Sequence, residues 1–225
     1  HYEAWARLDE VVPVASVDRD LSKAQATGLP AFAEVLPMLA EMKPDVVDII
    51  TPPDTHLATL RAVLDFRPKV IICQKPFCAS LKEARLAVAL AKDADVPLVI
   101  HENFRFQPWY RKIKSLIDKG ALGDVLQLSF RLRPGDGQGA RAYLERQPYF
   151  QTMPRFLLHE TGVHWVDTFR FLMGSPDAVF ADLRRLNPAI AGEDAGYFLF
   201  RYKNGARALF DGNRHLDHAS ENPRL

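Results

Sequence analysis

Glu160-x-x-x-His164-x-x-Asp167 is the sharpest chemical pattern in this sequence. Helical spacing places all three side chains on one face. A carboxylate beside an imidazole orients the ring and supports its protonated form. The imidazole can then exchange a proton with a bound substrate. The same spacing also suits a salt-bridged surface stripe. With a single histidine on that face, no metal site is expected. Gly162 lies inside the same helix, where glycine costs about 1 kcal/mol relative to alanine. Close approach of a substrate ring to the backbone is one reason to accept that cost.

Two further groups stand at the ends of apolar runs. Gln74-Lys75-Pro76 follows Val70-Ile71-Ile72-Cys73. A lysine packed among strand ends is partly desolvated and readied for proton transfer; the alternative is a surface lysine in a loop. The Lys75–Pro76 bond can be cis. Asp18 follows the short β-branched run Val11–Val17. A carboxylate there can accept hydrogen bonds from the adenosine ribose of NAD. Arg19 can neutralise a 2′-phosphate or lie on the adenine. Alternatively, Asp18 and Asp20 only cap the next helix. No Gly-x-Gly-x-x-Gly occurs, and the place for one falls just before His1. His56 starts a helix at a strand end and either contacts a cofactor or caps. His101, Asn103 and Arg105 follow another strand and share its rim. Arg131, Arg133, Arg141, Arg146 and Arg155 surround a long loop and either greet an anionic substrate or form a solvated face. His215-x-x-His218 reads as a tail feature.

These residues need elements to hold them. Strands are expected over Val11–Val17, Leu29–Phe32 (an edge, given Pro30), Val46–Ile50, Val70–Cys73 and Pro97–Ile100. Helices are expected over His1–Glu10, Ala33–Met42, Thr55–Phe66, Ser80–Ala94 and Pro108–Lys119. Short apolar strands alternating with helices predict a parallel sheet covered on both faces. The pattern changes after Gly123. Val125–Arg131 alternates weakly. Residues 134 to about 155 are loop-like around Pro134–Gly139, a stretch long enough to be functional or disordered. A helix over Phe156–Met173 closes at Gly174. Strands follow at Ala178–Leu186, Ala195–Tyr202 and Ala206–Asp211, with Asn204-Gly205 as a hairpin turn. The second half therefore reads as α+β with a largely antiparallel sheet. We divide the chain into residues 1–102 and 103–225.

Composition narrows the classes. The chain has 225 residues, 48% of them hydrophobic, and a net charge of +1. That excludes intrinsic disorder and argues against a nucleic-acid footprint, which needs a basic excess. No apolar run is long enough for a membrane helix. Cys73 and Cys78 are too few for a disulfide framework and fit two buried thiols in a reducing compartment, hence a cytoplasmic location.

Taken in order, these segments resemble the Gfo/Idh/MocA oxidoreductases, the glucose–fructose oxidoreductase and inositol dehydrogenase group. Ser16–Asp20 is similar to the family's second strand and ribose-binding Asp. Ile50-Thr51-Pro52-Pro53-Asp54-Thr55-His56 resembles its T-P-x-x-x-H turn. Gln74-Lys75-Pro76 resembles its Glu-Lys-Pro signature, which carries the catalytic lysine. Asn103–Pro108 with Lys119–Gly123 resembles the segment that crosses between domains, and Gly162–Asp167 the G-x-H-x-x-D helix.

The resemblance implies a Rossmann-like doubly wound parallel sheet that lacks its first strand and glycine turn, followed by the α+β domain. It also implies an NAD(P)-dependent dehydrogenase of a sugar, cyclitol or related polyol. Lys75, His164 and Glu160 would be catalytic. Asp18, Arg19, Thr51, Pro53, His56, Gln74, Lys75 and Asn103 would hold cofactor, NAD being favoured over NADP. Lys75, Arg105, Glu160, His164 and Asp167 would face substrate. Homo-oligomers through the C-terminal sheet are expected.

Two departures stand out. Gln74 replaces a glutamate, losing a charge near the nicotinamide ribose, and Glu160 replaces an aspartate, adding a methylene. The missing first strand would lie between Val11–Val17 and Val46–Ile50, leaving both unpaired or forcing them together. Buried unpaired groups cost about 1–3 kcal/mol each, so the chain is expected to be an excerpt that binds NAD(P) poorly alone. Two other functions stay open: a non-catalytic nucleotide-binding regulator, and a lyase or glycosidase that uses NAD transiently.

Overall fold

The computed structural model describes residues 1–217, so His218 lies outside the described residues. The chain divides into two compact units, His1–His101 and Glu102–Leu225.

The first unit alternates short strands and helices: α1 (Tyr2–Trp5), β1 (Ser16–Val17), α2 (Leu21–Gln25), β2 (Ala31–Phe32), α3 (Val35–Met42), β3 (Val46–Ile49), α4 (His56–Leu64), β4 (Val70–Gln74), α5 (Leu81–Asp93) and β5 (Leu98–His101). All pairings here are parallel. They form two sheets, β1–β2 and β3–β4–β5. This is the Rossmann-like parallel arrangement, with β1 and β3 sharing no ladder among the described residues. Leu60, Val63, Ile71, Cys73 and Ala87 make a fully buried core between sheet and helices.

Helix starts follow the side chains. Asp20 caps α2 by accepting the Ser22 N–H at 3.2 Å. Ser80 caps α5 by accepting the Glu83 N–H at 3.2 Å. Two expectations shorten here. The Val11–Val17 strand shrinks to Ser16–Val17, because Pro13 offers no donor and residues 11–15 meet no partner strand. The His1–Glu10 helix ends at Trp5.

The second unit carries α6 (Pro108–Asp118), β6 (Gln127–Leu132), α7 (Val163–Met173), β7 (Ala178–Arg184), β8 (Ala195–Arg201) and β9 (Arg207–Asn213). Its sheet runs β6-β9-β8-β7. The pairs β7–β8 and β8–β9 are antiparallel, and β6–β9 is parallel. Pro108 opens α6 at a position where its missing N–H costs nothing. The β8–β9 hairpin turns at Asn204-Gly205, where Gly205 has φ +87° and the Asn204 side chain accepts the Ala206 N–H at 3.1 Å. Phe198, Phe200, Ala208 and Phe210 pack one sheet face against Trp165 and Phe169 of α7.

Residues 134–155, expected as a loop, are ordered. A 3-10 turn at Pro148–Gln151 and the buried side chains Phe150, Met153, Phe156 and Ile190 give this segment its own small core. The Asn187 side-chain amide donates to Gly137 O at 2.7 Å and Gly139 O at 2.8 Å. The expected Phe156–Met173 helix also divides. Leu157–Gly162 is a π-helical turn, and α7 begins only at Val163. Glu193 holds the start of that turn: its backbone carbonyl accepts the Leu157 N–H at 2.8 Å and its carboxylate the Leu158 N–H at 3.1 Å. Among the described residues, no helix is long and apolar enough to cross a membrane.

Candidate functional site

In the first unit the candidate residues collect at the carboxyl ends of parallel strands, where ligands of such sheets bind. Asp18 follows β1, and its N–H bonds Phe32 O at 3.1 Å. Its Oδ1 accepts the Asp20 N–H at 2.9 Å, so Asp20 caps α2 and Asp18 does not. Oδ2 of Asp18 takes no hydrogen bond among the described residues and suits a ribose hydroxyl. Arg19 is exposed beside it.

Thr51 follows β3, its hydroxyl 2.6 Å from that of Thr55, and Pro53 is buried. His56 is 1% exposed. Its Nδ1 lies 2.8 Å from Phe77 O and its Nε2 2.6 Å from Thr51 O. The ring therefore ties the loop after β3 to the loop after β4, and both nitrogens are spent on the backbone.

Gln74 ends β4. Its Oε1 accepts the Lys75 N–H at 2.7 Å. Its amide nitrogen lies 2.7 Å from His1 Nε2 and 3.4 Å from His101 Nδ1. An amide can donate to two imidazoles at once, which a carboxylate could not do. Lys75 follows, joined to Pro76 by a cis bond. These strand ends fit the ribose portions of NAD. The described residues contain no Gly-x-Gly-x-x-Gly turn for its pyrophosphate.

In the second unit the Glu160–His164–Asp167 stripe resolves into three separate partnerships. His164 Nδ1 sits 2.8 Å from Glu102 Oε1 and 2.7 Å from Glu102 Oε2. Phe104 stacks on the imidazole, with ring centroids 3.9 Å apart and planes 7° from parallel. Asp167 receives the Arg105 guanidinium, Nε to Oδ2 at 2.7 Å and Nη2 to Oδ1. Glu160, in the π-turn, accepts the Thr161 hydroxyl at 2.6 Å and lies 3.4 Å from Arg214 Nη1. Asn103 precedes the 3-10 turn Phe104–Phe106, and its carbonyl accepts the Phe106 N–H at 3.1 Å. Gly162 is packed by the chain itself, since an added Cβ would fall 2.9 Å from Leu158 Cδ2.

Arg214 is the larger surprise. It is 8% exposed. It donates to Asp136 Oδ2 at 2.8 Å and Thr161 Oγ1 at 2.6 Å, and lies over Tyr143, Phe150 and Phe156. Burial and the bonded Arg214 together act on Tyr143, and burial dominates, pushing its phenol well up from the ordinary value. Arg131 and Arg133 turn to Asp211, at 3.8 Å and 2.7 Å. Arg141 pairs with Glu145 at 3.7 Å on the surface.

Sequence reasoning missed Glu102 and Arg214. The signal for Glu102 was its place directly after a strand, between His101 and Asn103. Arg214 sits one residue before a histidine read as tail and carried no spacing signal.

Comparison with known proteins gives matches to two family models. "Oxidoreductase family, NAD-binding Rossmann fold" matches residues 1–102, and "GFO/IDH/MocA C-terminal domain" matches residues 110–224. The chain is 33% identical to a D-apiose dehydrogenase of Paraburkholderia graminis, over 94% of this chain and 56% of that protein. It is 31% identical to a D-apiose dehydrogenase of Rhizobium rhizogenes, over 92% of this chain and 60% of that protein. It thus spans little more than half the length of these relatives. Among solved structures it resembles an oxidoreductase from Agrobacterium radiobacter in complex with NAD+, L-tartaric acid and magnesium. The TM-score is 0.84 at 30% identity, covering 96% of this chain and 63% of that one.

Proposed function

Because the chain belongs to the GFO/IDH/MocA oxidoreductase family, with its NAD-binding Rossmann fold, we propose that it serves an NAD(P)-dependent dehydrogenase of a secondary alcohol in a sugar, cyclitol or related polyol. The observation that carries this reading is the setting of His164. Its Nδ1 is held by Glu102 and its face by Phe104. Its Nε2 takes no hydrogen bond among the described residues, so a proton acceptor is left for substrate. The D-apiose dehydrogenase relatives support a sugar as substrate.

In this reading His164 Nε2 removes the hydroxyl proton, and Lys75 holds the substrate oxygen and relays the proton. The nicotinamide supplies the hydride acceptor when bound. Asp18 and Arg19 hold the adenosine ribose. Thr51, Pro53, Gln74 and Asn103 line the cofactor's other end, with His56 fixing the loop that carries Thr51. Oδ2 of Asp18 favours NAD over NADP, because a 2′-phosphate would meet its charge. Glu160 and Asp167, held by Arg214 and Arg105, set the shape of the substrate wall. A second copy packing on the outer sheet face is supported by the row Phe180, Leu199 and Leu209 there.

A dehydrogenase assay of the full-length parent over a panel of sugars and cyclitols tests this. Net NADH formation is expected. Lys75→Ala in the full-length parent should abolish it while most of the NAD affinity is kept. Turnover without net NADH would instead favour a lyase or glycosidase. NAD binding without any turnover would favour a regulator.

A further inference from the structure

We infer that Glu102 is the positioning residue for His164, fixing the imidazole as its Nδ1–H tautomer so that Nε2 carries the lone pair. The inference deepens the proposed function and rests on His164 being its proton acceptor. The tautomer itself can be measured without that assumption.

The carboxylate straddles Nδ1, at 2.8 Å and 2.7 Å from its two oxygens. A carboxylate can only accept, so the nitrogen it faces must carry the hydrogen. Glu102 is itself fixed, because its Oε1 also accepts the Phe104 N–H at 3.0 Å. One short segment thus supplies the carboxylate against the ring edge and the phenyl ring against its face. Both partners of the pair are only 11% exposed at the side chain, so water competes weakly for the bond. The other acids on the stripe are engaged elsewhere, Asp167 by Arg105 and Glu160 by Arg214. Glu102 alone among the described residues bonds a ring nitrogen of His164. An isolated imidazole divides its proton between the two nitrogens, and the wrong tautomer leaves no acceptor facing substrate.

The test is imidazole nitrogen-15 NMR of the whole protein, with Glu102→Leu and Glu102→Gln. In the wild type, Nδ1 should show the protonated shift and Nε2 the unprotonated one. Glu102→Leu should move population toward the Nε2–H form. Glu102→Gln should restore the wild-type pattern, because the amide oxygen still accepts from Nδ1–H. A neutral wild-type ring protonated on Nε2 and bare at Nδ1, or a Leu variant with an unchanged pattern, overturns the inference. Should the Leu variant fail to fold, the wild-type spectrum and the Gln variant decide.

Kinetics then separate the two claims. Glu102→Leu should lower kcat at least tenfold with KM little changed, and Glu102→Gln should recover part of the loss. The expected NMR pattern without turnover on any polyol upholds the positioning role and counts against the dehydrogenase reading alone.

Discussion

Arg105 grips Asp167 through two parallel hydrogen bonds, Nε to Oδ2 at 2.7 Å and Nη2 to Oδ1. The pair ties the 3-10 turn that carries Phe104 to α7, which carries His164. The bonded Asp167 carboxylate raises the Arg105 guanidinium above its ordinary value, so its charge is permanent. The planar fork matters more than the charge, and lysine cannot reproduce it. Both side chains keep contact with water, which limits the gain. Arg105→Lys and Asp167→Asn should each cost about 1 kcal/mol in urea unfolding. The double variant should cost no more than the worse single one. Full additivity would show that the fork contributes nothing of its own.

Arg214 should matter more for stability. Its buried guanidinium is shared between Asp136 and Glu160 and packs against three aromatic rings. Arg214→Met keeps much of the volume but takes the guanidinium away from the Glu160 carboxylate, whose side chain is 11% exposed. Breaking a buried ion pair by removing one member costs roughly 3–5 kcal/mol. The cost should appear as a lower unfolding midpoint, and residues 134–155 should become cleavable by dilute protease. Arg214→Met with Glu160→Gln should regain part of the loss. Protection of residues 134–155 equal to wild type would show that another contact orders them.

The contrast between these residues explains what the sequence made legible. The strand–helix alternation was readable because β3, β4 and β5 are short, mostly apolar runs set between helices of the same local stretch. Ser80 with Glu83, and Pro108, marked helix starts by local chemistry. The π-turn was not readable. Its extra residue per turn is held by Glu193, far along the chain, and no local signal encodes it. His164 was visible by type and spacing, but its true partner is 62 residues away. Helical periodicity favours Glu160 for that role, because it counts only neighbours on the same element. The order of residues 134–155 likewise depends on Asn187 and Arg214, which lie beyond any local window.

Lys43 offers a test of backbone strain. It caps α3 with φ 44° and ψ 55°, donating its N–H to Leu39 O at 3.1 Å. A left-handed conformation costs a residue with a Cβ about 1–2 kcal/mol, and glycine avoids that cost. Glycine also gives the unfolded chain more freedom, which opposes the gain by about 0.4–1 kcal/mol. The side chain is exposed, so no packing is lost. Lys43→Gly should therefore stabilise by roughly 0.5 kcal/mol, read as a small rise in unfolding midpoint. Lys43→Ala should not stabilise, since alanine keeps the Cβ.

Cys73 and Cys78 set an alkaline limit on stability. Both thiols are buried. Burial pushes Cys73 up from 9.0 to about 12 and Cys78 up from 9.0 to about 11. Well below pH 9 both thiols stay protonated whether the chain is folded or not, and they add no pH dependence. Above pH 9 the unfolded chain loses these protons while the native state keeps them. The native state then binds more protons, so stability falls as pH rises, through about 11 for Cys78 and about 12 for Cys73. Denaturant titrations at pH 8 and pH 10 should show the decline, and Cys73→Ser with Cys78→Ala should flatten that slope whatever it costs at neutral pH. Native protein at pH 8 should also resist a thiol alkylating reagent that labels both cysteines in urea. Rapid labelling without denaturant would mean that the thiols reach solvent and that burial does not set their acidity.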